Sequence, residues 1–115
     1  MKFTLRIKKN GVFKYVFKKG EYAKGNAIVV HVSKTKMDNM KNFFAVCVSK
    51  KNGKSVQRNK LKRWVREVYK MQEDKLKKNY NIIIVYKKNV TFENISYKMV
   101  TEDIEKCFKE LELYE

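Results

Sequence analysis

The chain contains no proline, one histidine, two cysteines and four glycines among its 115 residues. Each scarcity removes a class of protein. Without proline there is no polyproline segment or stiff Pro-rich linker, and no internal repeat stands in its place. A single histidine, His31, cannot supply the histidine pair that acid–base cleavage of a phosphodiester would use. Cys47 and Cys107 are far apart, and neither has a second cysteine or His31 at metal-ligand spacing. Both fall within apolar patterns and read as buried free thiols, which suits a reducing cytoplasm. No apolar run approaches the roughly 20 residues of a membrane span. The opening MKFTLRIKKN lacks the apolar stretch of a signal peptide. The expectation is a cytoplasmic protein with no membrane partner.

Acidic residues are the other shortage. Twelve face 28 basic ones, for a formal net charge of +16. Such an excess repels itself unless a polyanion neutralises it, which points to nucleic acid or an anionic membrane. The excess is also local. Residues 1–90 hold 25 basic and 5 acidic side chains, whereas residues 91–115 hold 3 and 7. The C-terminal segment is therefore expected to turn away from the polyanion.

What is abundant argues for a folded chain. Seven Phe, seven Tyr and one Trp would be out of place in a disordered basic tail. The length allows one domain, residues 1–115, and is too short for two. Residues 10–19, NGVFKYVFKK, predict a short helix with Asn10 as N-cap and Gly20 as its end. Val12, Phe13, Val16 and Phe17 fall on one face of it. NAIVVHVSK (26–34) and FFAVCVSKK (43–51) read as strands, the second alternating so weakly that both its faces must be covered. A helix is predicted from Ser55, as N-cap, to about Lys78, then an apolar strand over 80–88 and an amphipathic helix over 95–113. The result is an α+β sandwich, one sheet covered by helices.

The segment GKSVQRNKLKRWVREVYK, Gly53–Lys70, concentrates the charge. On a helical wheel Leu61, Trp64, Val65 and Val68 fall within about 100° of arc, a core-facing stripe. Arg58, Asn59, Lys62, Arg63, Arg66 and Lys70 fall within about 140° on the other side. An ordinary solvated face mixes signs to gain i,i+4 pairs. Here Arg58, Lys62, Arg66 and Lys70 repeat like charge at four-residue steps, which favours a phosphate-binding ridge. Arg forks onto phosphate and Lys adds a mobile point charge, while Asn59 could read a base or sugar hydroxyl. A membrane surface fits less well, because Trp64 and the valines are needed for the core. A DNA-recognition helix would follow another helix across a tight turn, whereas a β-branched strand stands there.

SKKNGKSVQRNKLKRWVRE (49–67) resembles the signature of the bacterial ribonuclease P protein component, S-K-K-x-G-x-A-V-x-R-N-R-x-K-R-x-x-R-E. It matches at Ser49, Lys50, Lys51, Gly53, Val56, Arg58, Asn59, Lys62, Arg63, Arg66 and Glu67. Ser55 replaces alanine, and Lys60 replaces the third residue of the RNR triplet, keeping charge but losing the guanidinium fork. The F-x-x-V-F stretch of the family's opening helix is matched at Phe13, Val16 and Phe17. The resemblance implies an order αβββαβα, a central mixed sheet and a left-handed βαβ crossover around the basic helix. It implies a protein subunit that binds ribonuclease P RNA and the 5′ leader of precursor tRNA, with catalysis by the RNA and its magnesium ions. Arg58, Asn59, Lys60, Lys62, Arg63 and Arg66 would then face the RNA subunit. Phe13, Phe17, His31, Cys47, Ser49 and Lys50 would line a leader cleft, with His31 where the family often has tyrosine. On the residues alone, Phe13 and Phe17 are equally readable as core.

No catalytic residue and no metal site are expected in the protein itself. Glu73-x-Lys75, in QEDKLKK, formally matches the E-x-K fragment of some metal-dependent nucleases. Those place it on a strand beside another acid. Here it falls late in a helix and is expected on the solvent face, as are the acids of the last helix. A non-catalytic ribosomal-type RNA-binding protein is the alternative; it would have no use for exposed Phe13 and Phe17.

Overall fold

The computed structural model describes residues 1–115. Its elements are β1 (Thr4–Arg6), α1 (Asn10–Lys19), β2 (Glu21–Lys24), β3 (Ile28–Lys34), β4 (Asn42–Cys47), α2 (Ser55–Gln72), β5 (Tyr80–Tyr86) and α3 (Tyr97–Glu110). Single turns of 3-10 helix stand at Lys50–Asn52, Glu73–Lys75 and Phe92–Asn94. The expected order αβββαβα is present with one addition, the three-residue strand β1 in front. Each expected helix N-cap is displaced by one residue. Lys9 and Lys54 occupy the cap positions, and Gln57 Oε1 accepts from Lys54 N at 2.9 Å in place of a Ser55 cap. Helix α2 stops at Gln72, short of Lys78, because the next turn tightens around Glu73.

The sheet order is β1-β4-β5-β3-β2. Strands β1, β4 and β5 are parallel neighbours, while β3 runs antiparallel to β5 and β2 antiparallel to β3. Helix α2 carries the chain between the adjacent parallel strands β4 and β5. Strand β5, at the centre, is apolar from Ile82 to Tyr86 because both its faces are covered. Ile82, Ile84 and Tyr86 join a core of 20 buried residues with α2 and α3, whereas Ile83 sits on the other face with only Ile7 and Val16 fully buried beside it. The two faces are thus unequal. One is sealed by two helices; the other carries α1 alone and stays partly open along both flanks of that helix.

Helix α1 ends where it does because Gly20 lies against backbone. A Cβ there would stand 2.3 Å from the Val32 carbonyl oxygen and 2.6 Å from that of Val16. Tyr86 OH donates to the Leu61 carbonyl at 2.8 Å, pinning α2 to β5. Asn52, fully buried, donates to the Lys87 and Val90 carbonyls at 2.8 Å each and accepts from Ser49 N at 2.9 Å. It fixes the turn that leads into α2.

Two acids are not where sequence placed them. Glu73 is 2% exposed, not on the solvent face. Its carboxylate accepts from Lys2 N at 2.8 Å, Phe3 N at 3.3 Å and the Thr4 hydroxyl, and so holds β1 beside β4. Burial raises its pKa, but the Thr4 hydroxyl and the two backbone N–H groups outweigh that and leave it below the ordinary glutamate value. The same Thr4 hydroxyl lies 2.9 Å from Tyr69 OH, whose pKa burial pushes up to about 12. Asp103, 3% exposed on α3, accepts from Asn26 N at 2.8 Å and Ala27 N at 2.7 Å and closes the β2–β3 turn. A Cβ on Gly25 would stand 2.4 Å from its carboxyl carbon.

Glu73→Gln leaves an amide facing N–H donors. It should cost about 2 kcal/mol at pH 7, measured by urea unfolding. A depressed carboxylate pKa stabilises the fold above its unfolded value of about 4.3 and loses that contribution as acid protonates it. The gap between wild type and variant should therefore narrow below about pH 4.3. Equal midpoints at pH 7 would remove the clamp from the account.

Candidate nucleic-acid interface

Helix α2 is two-faced in the way its sequence requires. Leu61, Val65, Val68, Tyr69 and Gln72 are buried against the sheet and α3. Arg58 and Lys62 are half-buried on the ridge flank, and Asn59, Arg63, Arg66 and Lys70 are exposed. Of these cations only Arg63 has a carboxylate partner, Glu67 at 3.5 Å. Elsewhere in the chain only Lys2, Lys78 and Lys106 are paired. Apart from Arg63, the ridge charge is therefore uncompensated by the protein.

Lys60 stands apart from the other five predicted ridge residues. Its Nζ lies 5.7 Å from the Trp64 ring centroid and 5.9 Å from that of Phe92, on the opposite flank of the helix. Trp64 and Phe92 are stacked at 5.7 Å, and Tyr97 meets Trp64 edge-on at 6.2 Å. Trp64, expected in the core, is thus a half-buried seam between α2 and α3.

A strip of rings runs over the sheet face that carries α1. Phe13 and Phe17, one helical turn apart, have centroids 6.5 Å apart. Phe17 meets His31 edge-on at 4.8 Å, and His31 lies 5.8 Å from Tyr22. Lys24 Nζ sits 5.8 Å over the Tyr22 ring. Phe17 is 46% exposed and Tyr22 59%, so the strip is a surface and not a core. Burial lowers the His31 pKa, which favours the neutral imidazole among the rings. Tyr22 was absent from the sequence-based set. It is the register partner of His31 across the β2–β3 hairpin and shares its face. Reading EYAK as a strand paired to 28–34 would have found it.

Cys47 packs with Phe13 and Ala45 on this face, half-buried. Burial raises its thiol pKa against the opposing pull of Lys62, so it stays a neutral thiol. Cys107 is fully buried, and burial followed by the charges of Asp103 and Glu110 lifts it to about 11. Ser49 and Lys50 fall past the end of β4. The Ser49 hydroxyl accepts from Lys51 N at 3.2 Å, so it serves its own turn, and Lys50 is exposed at the start of that turn.

The ridge and the strip meet at an open sheet edge. Strand β1 pairs with β4 only as far as Phe44, where Ile7 N donates to the Phe44 carbonyl at 3.1 Å. Beyond it a cavity of about 560 Å³ opens along Ala45 and Val46. Phe13 of α1 lines one side, and Lys62 and Arg66 of α2 line another, with Arg6 between. No group of three or more His, Cys, Asp or Glu side chains comes together anywhere at metal-binding distance.

The chain is similar to known proteins over nearly its whole length. The family model Ribonuclease P matches residues 1–112. The ribonuclease P protein component of Fusobacterium nucleatum is 35% identical over 105 residues, covering 90% of this chain and 93% of its own. That of Clostridium kluyveri is 32% identical over 111 residues, covering 95% and 96%. Among solved structures, a Staphylococcus aureus RNase P protein mutant with defective mRNA degradation activity superposes with a TM-score of 0.83 at 28% identity, over 95% of this chain and 89% of that one. The RNase P protein from Thermotoga maritima superposes with a TM-score of 0.73 at 29% identity, over 88% and 92%. The chain belongs to the ribonuclease P protein component family, the protein subunit of the ribonucleoprotein that processes the 5′ leader of precursor tRNA.

Proposed function

We propose that the two surfaces divide the work of the subunit, the α2 ridge gripping ribonuclease P RNA and the ring strip holding the 5′ leader of precursor tRNA. The observation that carries this reading is the cavity at the β4 edge, where Phe13 and the cations Lys62 and Arg66 share one space. A strand leaving the strip can pass its phosphates directly to the ridge. Single-stranded RNA is held in this way, bases on aromatic rings beside a positive groove. Arg58, Asn59, Lys62, Arg63 and Arg66 contact the RNA subunit from the ridge, and Lys60 joins from the flank through its place over Trp64. Phe13, Phe17, His31 and Cys47 form the leader cleft with Tyr22, while Ser49 and Lys50 border it from the turn.

The magnesium ions of the reaction are held by the RNA in this reading, as the family resemblance implies. The holoenzyme works in the cytoplasm. The left-handed hand of the β4–α2–β5 crossover belongs to the same proposal. General rules favour the right hand, and the likeness to solved family members supports the family's hand, because a mirror crossover would not superpose over 95% of the chain.

Phe17→Ala in the reconstituted holoenzyme should weaken binding of leader-bearing precursor about tenfold, as loss of one base stack does, and leave mature tRNA unaffected. Equal losses on both would count against the cleft. Arg66→Ala should weaken RNA-subunit binding and flatten its dependence on log salt by about one unit, the loss of one phosphate contact. Lys60→Ala should flatten it less. A slope that Arg66→Ala leaves unchanged would move the RNA interface off the ridge.

A further inference from the structure

Helix α1 has two flanks, and the leader cleft uses one. Taking Val12 and Val16 as the side facing the sheet, Phe13 and Phe17 project about 100° to one side and Gly11 and Tyr15 about 100° to the other. On the Tyr15 side lies a second cavity of about 530 Å³. The rings of Tyr15 and Phe43 line it with Ile7, Val12 and Met37, and so do five cations, Arg6, Lys8, Lys9, Lys34 and Lys36. No acidic residue lines it, and none of the five cations is in an ion pair. Tyr15 is 47% exposed and donates no hydrogen bond within the protein.

This combination has little structural use. A Tyr that served packing would be buried, and five like charges around one hollow cost free energy unless an anion offsets them. Aromatic rings among cations in one hollow are the arrangement that receives an unpaired base and its flanking phosphates. An acidic peptide would satisfy the cations but has no need of the exposed ring. A lipid surface would need a projecting apolar wedge and not a hollow.

The two cavities adjoin. Arg6 and Ile7 line both, beneath the first turn of α1. We infer that the second cavity is a distal subsite for the leader, taking a nucleotide farther from the cleavage site than those on the Phe13–Phe17–His31 strip. The strand rounds the N-terminus of α1 past Arg6, and one base stacks on Tyr15 with its phosphates among Lys9 and Lys34. This rests on the leader-cleft reading above and extends it from one flank of α1 to both.

The test is a leader-length series. Precursor tRNAs with leaders lengthened one nucleotide at a time are bound to the reconstituted holoenzyme, wild type, Tyr15→Ala and Phe17→Ala. Wild type should gain affinity in two stages, the second appearing only with longer leaders. Tyr15→Ala should match wild type on short leaders and lose the second stage, about tenfold. Phe17→Ala should be weaker on short and long leaders alike and still show the second stage. If Tyr15→Ala follows wild type at every length, the distal subsite is wrong. If it weakens every length equally, or weakens RNA-subunit binding, the cavity serves another contact and the inference is overturned. If Phe17→Ala changes nothing, the cleft reading fails and the distal subsite fails with it. Circular dichroism melting of each variant separates these outcomes from misfolding.

Discussion

Like charge repeated at four-residue steps works against a helix, and α2 carries Arg58, Lys62, Arg66 and Lys70 in that spacing. What holds it is the opposite stripe. Leu61 and Val65 are fully buried and Val68 almost so, each stabilising the docked helix by about 1.5–3 kcal/mol. A hydrogen bond from Tyr86 to the Leu61 carbonyl adds direction to that attachment. The helix is thereby stable enough to keep a charged face that it does not neutralise itself. Every proposed contact of the ridge depends on this division, because a helix that paired its own charges would have none left for phosphate.

The remaining architecture presents that face. Two helices seal one side of the sheet and one helix covers part of the other, so the second side is left with grooves. Strand β1 is too short to cover the whole edge of β4, and its end creates the opening where α1 and α2 side chains meet. Glu73 and Asp103 act as internal anchors for β1 and for the β2–β3 turn. Two of the acids are thus taken up inside the fold, and α2 carries a single one, Glu67, among its cations.

Local pattern made much of this readable. The apolar repeats within 10–19, 55–78 and 95–113 and the apolar run within 80–88 each declare their element, though not its ends, without help from distant residues. The ridge was also legible, because Arg58, Lys62 and Arg66 share a helical face. Phe13 and Phe17 stand four apart, but that spacing suits a core as well as a surface, and only the family resemblance grouped them with His31. What was not legible depends on partners remote in sequence. TLR at Thr4–Arg6 is too short to show alternation and becomes a strand only by pairing with β4, with Glu73, about seventy positions on, anchoring its start. Glu73 and Asp103 look like surface acids until the backbone groups they cap are brought beside them. Lys60 was grouped with its triplet by motif, although its angle on the wheel already set it with Trp64. Tyr22 needed the hairpin register to place it beside His31.

The central claim is that this protein organises RNA chemistry it does not itself perform. The most direct measurement mixes it with a bacterial ribonuclease P RNA and follows 5′-leader removal from precursor tRNA at low magnesium. Cleavage should require both components, with neither the RNA nor the protein active alone under those conditions. If the protein binds the RNA and leaves its cleavage unchanged, the ridge is only a general RNA grip and the account is contradicted.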